Sequence, residues 1–560
     1  MTTNPAVALP PPGSLQGLLA RGLLLSAAIF VLLEVWRPCF FLTDDNLSGG
    51  LPVLTEMGHH LVSGESPFVT DWLFGGHYPM LEDPVFFLWH PFYLAAALLA
   101  VTPVHFWILE VVAFAFLMLA TSGFLCLGAY VRRQQVLPLS DGWLLFYALS
   151  YTYTFMAVTT GSSWLSFLGN HSAMPWLALG ILQTSWRRGL ALVTGFSIHH
   201  LLGGHFAPFI SITLFLSLFT LGVAWWRRSW VPLISWGVGN VLTLLIVLPL
   251  LLPAFHGFAG SDRGQGLTLD MINHDSIPLI VAPASYFLGT SFWMVRHAPD
   301  MHVYAAALAA CAAAWCIIPA FAGRFPWHFL ELLCLGLMAG IIVLVIRPEI
   351  VTRIMMHVPL LRSLRWPFRE LLVFHFFLHL FLVLRRPAWS NRVRWAWAGW
   401  SAAVFVLPML AYAPPSLNPL KQERQLLFSG QLDAFWTQVR QHLKADDRIA
   451  VIIPPDIYEA AFERVCYGLL GSHNFCCLFH VINASGYSPT APEQLLYVKT
   501  RPAYYFGAFG PWQIDALWNE RPGLKLMVLK SLHPIRIVLR AQGQPDIDLT
   551  PYVPKDVNYL

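Results

Sequence analysis

Apolar residues run along this chain in stretches of about twenty, the length an α-helix needs to cross bilayer hydrocarbon. The runs fall near residues 15–36, 103–130, 142–160, 164–185, 189–204, 207–226, 230–255, 302–322, 327–346, 371–385 and 395–413. Two further stretches, 85–101 and 277–295, are shorter or broken by Pro91, Pro278 and Pro283, and read as re-entrant or interfacial segments. The pattern predicts a mainly α fold, a polytopic transmembrane helical bundle of about 11 to 13 spans; the count is 11 if the broken stretches do not cross.

The polar intervals are as informative as the runs. A loop of residues 37–84 between the first spans is long enough to need a job of its own. Further polar segments lie at Gly257–Asp300 and Arg347–Glu370, and the composition changes after Tyr412. In that tail, 446–453 and 536–540 read as strands and 456–470 as a helix. The chain therefore divides into a transmembrane domain, 1–413, and a small soluble α/β domain, 414–560.

Composition agrees with the pattern. Of 560 residues 56% are hydrophobic and 11% charged, against about 25% charged in soluble domains. A formal charge of +4 is too small to argue for a nucleic-acid partner. No small-residue cleavage site follows Leu15–Trp36, so the first span is read as retained. Cys126, Cys311, Cys316 and Cys334 lie inside apolar runs, whereas Cys39, Cys466, Cys476 and Cys477 do not; pairing of Cys466 with Cys476 or Cys477 stays open if the tail faces an oxidising compartment. Neither a Walker motif nor a repeat between the halves occurs, which argues against an ATP-driven pump and against many secondary transporters.

Basic residues set the orientation. Arg132/Arg133, Arg187/Arg188, Arg227/Arg228, Arg385/Arg386 and Arg324 all land on one side when 11 spans are counted, and that side should be cytoplasmic. The N-terminus is then cytoplasmic, and the first loop and the tail are external.

Two acids, Asp44 and Asp45, sit a few residues beyond the first span, at a wet membrane face where charge is cheap. That placement suggests chemistry at an interface; the bland alternative is a helix N-cap before Leu47. Arg347, Arg353, Arg362, Arg365 and Arg369 crowd an external segment against the charge rule, which points to an anionic ligand, because the guanidinium fork suits phosphate. Glu82 and Asp83 close the first loop, and His59, His60, His77 and His90 lie in or beside it. His199, His200 and His205 flank another external turn, with Gly203 and Gly204 letting the backbone turn toward the cavity at His205. Their spacings match no closed metal site. Glu34, Glu110 and Glu331 lie in apolar runs, where each needs a partner or a watery cavity.

The acidic first loop, the external Arg365-Trp366-Pro367-Phe368-Arg369 element and the terminal domain resemble the GT-C superfamily of integral-membrane glycosyltransferases. Gly75-Gly76-His77-Tyr78-Pro79, Gly203-Gly204-His205 and Ile482-Asn483-Ala484-Ser485-Gly486-Tyr487-Ser488-Pro489 are similar to the pattern of its bacterial YfhO-like group. The resemblance implies an inverting transfer of a sugar from a polyprenyl-phosphate donor to an external glycan, lipid or protein acceptor, in a bacterial inner (plasma) membrane. Asp44, nearer the span end and so more rigidly held, is favoured slightly over Asp45 as the base, and Arg362, Arg365 and Arg369 would hold the donor phosphate. Glu82, Asp83, His77 and His205 would position the acceptor or bind a divalent cation (Mg or Mn); the bland reading of Glu82 and Asp83 is the polar end of an interfacial helix. Tyr487, Tyr504, Tyr505 and Trp512 in the tail are candidates for stacking on an acceptor sugar. The rival reading is a proton-coupled transporter or flippase of a lipid-linked or sugar substrate, which the acids in the apolar runs favour; a scaffold for an envelope complex is the third.

Overall fold

The first apolar run folds as its length requires. In the computed structural model, Ser14 caps helix α1 (Leu15–Trp36) by accepting the Gly17 N–H at 3.1 Å. The structure describes residues 14–42, 45–73, 78–80, 89–99, 107–135, 137, 139–259, 328–347, 349–358, 361, 367–385, 395, 399, 426–427, 429–454, 467–471, 474–484, 508–509, 514–532 and 534–555.

The acids in the apolar runs have local partners. Glu34 accepts the N–H groups of Cys39 at 2.8 Å and Phe40 at 3.2 Å, and Glu110 accepts that of Phe41 at 2.8 Å. These bonds satisfy backbone donors in the turn that leaves α1. Glu331 accepts from the His328 N–H and pairs with Arg385 at 3.3 Å.

The first loop carries α2 (Leu51–Ser63) and paired strands β1 (Val69–Thr70) and β2 (Tyr78–Pro79), followed by α3 (Pro91–Leu99). The bundle continues with α4 (Ile108–Gln134), α5 (Asp141–Thr152), α6 (Phe155–Ser163), α7 (Ser166–Leu182), α8 (Trp186–Gly203), α9 (Phe206–Arg227) and α10 (Val231–Ala259). Then come α11 (Phe329–Ile346), α12 (Glu349–His357), a 3-10 turn at Pro367–Glu370 and α13 (Leu371–Arg385). Among the described residues five helices, α1, α4, α9, α10 and α11, are long and apolar enough to cross a membrane. They make the chain an integral membrane protein by the length rule. The run at 142–160 is not one helix: α5 stops at Thr152, and Thr154 starts α6 with its hydroxyl accepting from Ala157 N–H. The runs at 277–295 and 302–322, and most of 395–413, lie outside the described residues.

The helices have two chemically different ends. At one, Asp141 opening α5 bonds Arg132 of α4 at 2.7 Å and Arg21 of α1 at 2.9 Å. Arg227 closing α9 and Tyr130 of α4 both donate to the Leu182 carbonyl closing α7, and Arg385 meets Glu331 where α13 ends and α11 begins. The opposite end gathers the first loop, the α6–α7 junction, the α8–α9 turn and the start of α13. Between them, lipid competes for apolar contact, so interhelical hydrogen bonds matter for registry, each worth on the order of 0.6 kcal/mol. Ser26 (α1), Thr121 (α4), Thr152 (α5) and Tyr153 form such a network at 2.6–3.1 Å.

The tail forms a six-stranded sheet. Its order is β4 (Ile482–Asn483), β3 (Arg448–Ile452), β6 (Lys525–Leu532), β7 (Ile535–Arg540) and β8 (Ile547–Asp548), with β5 (Ala508–Phe509) also on β3. β3 pairs parallel with β4, β5 and β6; β6–β7–β8 is antiparallel. The expected strands at 446–453 and 536–540 are β3 and β7. The tail rests on the first loop: Asn474 N–H donates to Ser48 O at 3.2 Å and Asn483 N–H to Trp72 O at 2.8 Å. The Cys476 thiol also donates to Trp72 O at 3.5 Å, Cys477 is a free thiol, and Cys466 lies outside the described residues.

Candidate functional site

Of the expected site residues, Asp45, Arg369 and His205 are described; Asp44, His77, Glu82, Asp83, Arg362 and Arg365 lie outside the described residues. The three come from distant parts of the chain, and one aromatic surface gathers them.

That surface begins at Trp164, between α6 and α7. Its indole N–H donates to Asp45 Oδ2 at 2.6 Å, and the Arg369 guanidinium lies over its ring at 4.7 Å from the centroid. The same guanidinium is 5.5 Å from the Phe167 centroid, and Phe167 packs against the His205 ring at 5.1 Å. Arg369 is 3% exposed; a desolvated cation on an aromatic face gains up to about 2 kcal/mol. Asp45 does not act as a side-chain cap for the turn after it, since no cap hydrogen bond forms. Its carboxylate turns to Trp164 instead.

Asn46 fixes this arrangement. Its Nδ2 donates to the carbonyls of Phe41, Gly161 and Ser162 at 2.8–2.9 Å, and its Oδ1 accepts the Leu165 N–H at 2.8 Å. One buried side chain thereby staples the first loop to the α6–α7 junction on both sides of Trp164. Across the site, Asn170 Oδ1 accepts the His205 N–H at 2.6 Å. Gly204 allows the approach: a Cβ there would sit 2.3 Å from His200 O and 2.4 Å from Asn170 Nδ2. Its φ of −99° is open to any residue, so close contact rather than left-handed geometry requires glycine.

The arginine run divides. Arg353 pairs with Glu349 on the exposed face of α12, away from the buried arginines. Arg347, 6% exposed, stands at the C-terminus of α11 in a left-handed conformation, φ 51°. It acts electrostatically on Glu370, as does Arg369, and the nearby Ser211 hydroxyl of α9 also favours the ionised form of that carboxyl. Burial pushes the Glu370 carboxyl up to about 7 against these partners, and burial lowers Arg347 to about 10.

Histidines form a layer beneath the site, and their hydrogen bonds assign their tautomers. Phe92 N–H donates to His90 Nδ1, so His90 Nε2 carries the proton and donates to His199 Nδ1 at 2.7 Å. His199 Nε2 then donates to Ser172 Oγ at 2.8 Å, and Ser172 to Gly169 O. Every group in that chain is satisfied, which marks it as structural. A second set differs. His171 Nε2 faces the Tyr151 carbonyl and His379 Nδ1 that of His375, so both nitrogens carry protons. Among the described residues His171 Nδ1, His200 Nε2 and both ring nitrogens of His375 have no partner. No group of three or more His, Cys, Asp or Glu among the described residues could hold a metal ion.

Sequence reasoning missed Asn46, Trp164 and Glu370 as site residues, whereas Arg347 stood in the arginine run read as an anion site. Asn46 adjoins the acid pair, and Glu370 follows Arg369 directly, so adjacency was the available signal. Trp164 carried none, because tryptophan at the edge of an apolar run also suits a membrane interface. No protein-family model matches the chain, and no curated protein does.

Proposed function

We propose that this protein is an integral-membrane glycosyltransferase that moves a sugar from a polyprenyl-phosphate donor to an external glycan, lipid or protein acceptor with inversion. The observation that carries this reading is Trp164, joined to a carboxylate on its indole edge and to a buried guanidinium on its face. Asp45 accepts the acceptor hydroxyl's proton as that oxygen attacks the anomeric carbon, and the bond from that carbon to the phosphate oxygen breaks with its electron pair on the phosphate. Arg369 stabilises the charge that develops there. The arginine-rich end is cytoplasmic by the charge rule, which leaves the site and the tail on the external face of a bacterial inner membrane, in a bundle of 11 spans. Asp45→Asn and Arg369→Gln test the roles. Each is expected to keep the protein folded, the first losing turnover and the second losing donor affinity; full transfer in both removes them from the mechanism.

A proton-coupled transporter is the second reading, favoured by the unpartnered imidazole nitrogens of His171 and His375. It predicts solute movement in sealed vesicles with no change in the solute's chemistry.

A further inference from the structure

Two buried arginines and one buried acid converge at the start of α13. Arg347 comes from the end of α11, Arg369 and Glu370 from the 3-10 turn, and Ser211 from α9; all four are 6% exposed or less. Glu370 Oε2 has no hydrogen-bond partner among the described residues. An ionised carboxylate oxygen left so in a dry site costs several kcal/mol. As a carboxylic acid, the same oxygen becomes a donor in need of an acceptor. Arg347 adds a second observation. A non-glycine residue in the left-handed region costs roughly 1–2 kcal/mol, and strain of this kind persists where the surroundings require it. Here the strained residue closes α11 and is itself 6% exposed.

We propose that Arg347, Glu370 and Arg369 form one oxyanion site in which Glu370 binds as its carboxylic acid, so that a phosphodiester is taken up together with one proton from solvent. The inference rests on the glycosyltransferase reading for its ligand, since a sugar linked through phosphate to an isoprenoid is a phosphodiester of fixed single charge. Two guanidinium groups and one acid O–H are all donors, and they complement the non-bridging oxygens of such a group. Among the described residues the titratable and charged groups facing Glu370 are Arg347 and Arg369; Ser211 adds a neutral hydroxyl, and Asp45 lies on the indole edge of Trp164. With burial holding the carboxyl up to about 7, an arriving anion shifts it further toward the protonated form. Linkage then makes binding tighter at low pH and weaker at high pH.

The test is calorimetric titration of the detergent-solubilised full chain with a short-chain isoprenyl glycosyl phosphodiester, in two buffers of different ionisation enthalpy. The buffer difference reads the protons taken up directly. Close to one proton should be taken up at pH 8 and only a small fraction at pH 6, with affinity about tenfold weaker at pH 8. Glu370→Gln keeps the shape and a neutral donor and should abolish the uptake; Arg347→Gln should weaken binding about tenfold. No uptake in the unmodified protein, or equal uptake in Glu370→Gln, overturns the proposal, and the first of these needs no variant to fold. Sulfate and a short-chain phosphatidylglycerol serve as comparison ligands: sulfate binding as tightly with the same uptake would assign the site to free oxyanions and overturn the phosphodiester assignment, and phosphatidylglycerol doing so would assign it to bilayer lipid. Proton-linked binding without sugar transfer would refute the glycosyltransferase reading alone, whereas transfer without proton uptake would refute this inference alone.

Discussion

The two ends of the helical bundle use the same residue types to opposite effect. At the arginine-rich end, Asp141 takes two guanidinium groups directly, one of them on a half-exposed Arg21, and charge is paired where it stands. At the other end Arg347, Arg369 and Glu370 are almost fully enclosed, and Asp45 and Arg369 meet on the ring of Trp164. A pair as exposed as that of Arg21 contributes at most about 1 kcal/mol, and the enclosed Arg385–Glu331 pair of the same end is likewise a direct one. Buried charge of the second kind is costly, and it is kept where chemistry repays the cost. The contrast teaches which of the 34 basic residues to suspect: those whose enclosure the fold could have avoided.

The largest expected effect is at Asp45. Asp45→Asn should lower sugar transfer by about 100- to 10,000-fold, the usual contribution of a general base, with unchanged thermal unfolding; a loss smaller than tenfold in a transfer assay breaks the contrast at its centre. Next comes Glu370. Its folded carboxyl is raised to about 7 from 4.5, so the native state holds more protons than the unfolded chain between those values, and stability is present below pH 4.5 and lost as pH rises through 7. Thermal unfolding between pH 5 and pH 8 should show a loss of roughly 2–3 kcal/mol that Glu370→Gln removes. Trp164→Phe keeps a face for Arg369 and deletes the N–H to Asp45; a hydrogen bond to a charged group is worth about 1.5–3 kcal/mol, so turnover should fall roughly tenfold to a hundredfold, with donor affinity retained. The smallest effect is at the other end: Asp141→Asn should cost about 1 kcal/mol or less and leave transfer within about twofold, and a large loss of transfer there would erase the distinction between the ends.

The class of the fold was legible because membrane hydrocarbon punishes polarity over a fixed length. The runs at 15–36 and 230–255 are α1 and α10 almost to the residue. The break between α5 and α6 was not legible, since Tyr153 and Thr154 are apolar enough to read through, and the split depends on a threonine hydroxyl taking one backbone N–H. Within the site, Asp45 was legible as an acid just beyond a span and Arg369 as a charge set against the charge rule. Their meeting was not, because it depends on Asn46 pinning one loop across 119 positions of sequence to Leu165, and periodicity along the chain carries no record of such a contact. The acids at 34, 110 and 331 were legible as groups in need of partners, and they have them: two bond the turn after α1 and the third pairs with Arg385.

The central claim is that Asp45 and Arg369 serve one transfer reaction across Trp164. Phosphorus NMR on the purified protein, supplied with isoprenyl glycosyl phosphodiesters and a panel of hydroxyl acceptors, follows conversion of diester to isoprenyl phosphate monoester. The account predicts monoester formation by the unmodified protein, suppressed at least about 100-fold in Asp45→Asn while that variant still binds the diester. Equal monoester formation by Asp45→Asn, or none by the unmodified protein with any donor while a sugar crosses sealed vesicles unchanged, would contradict it.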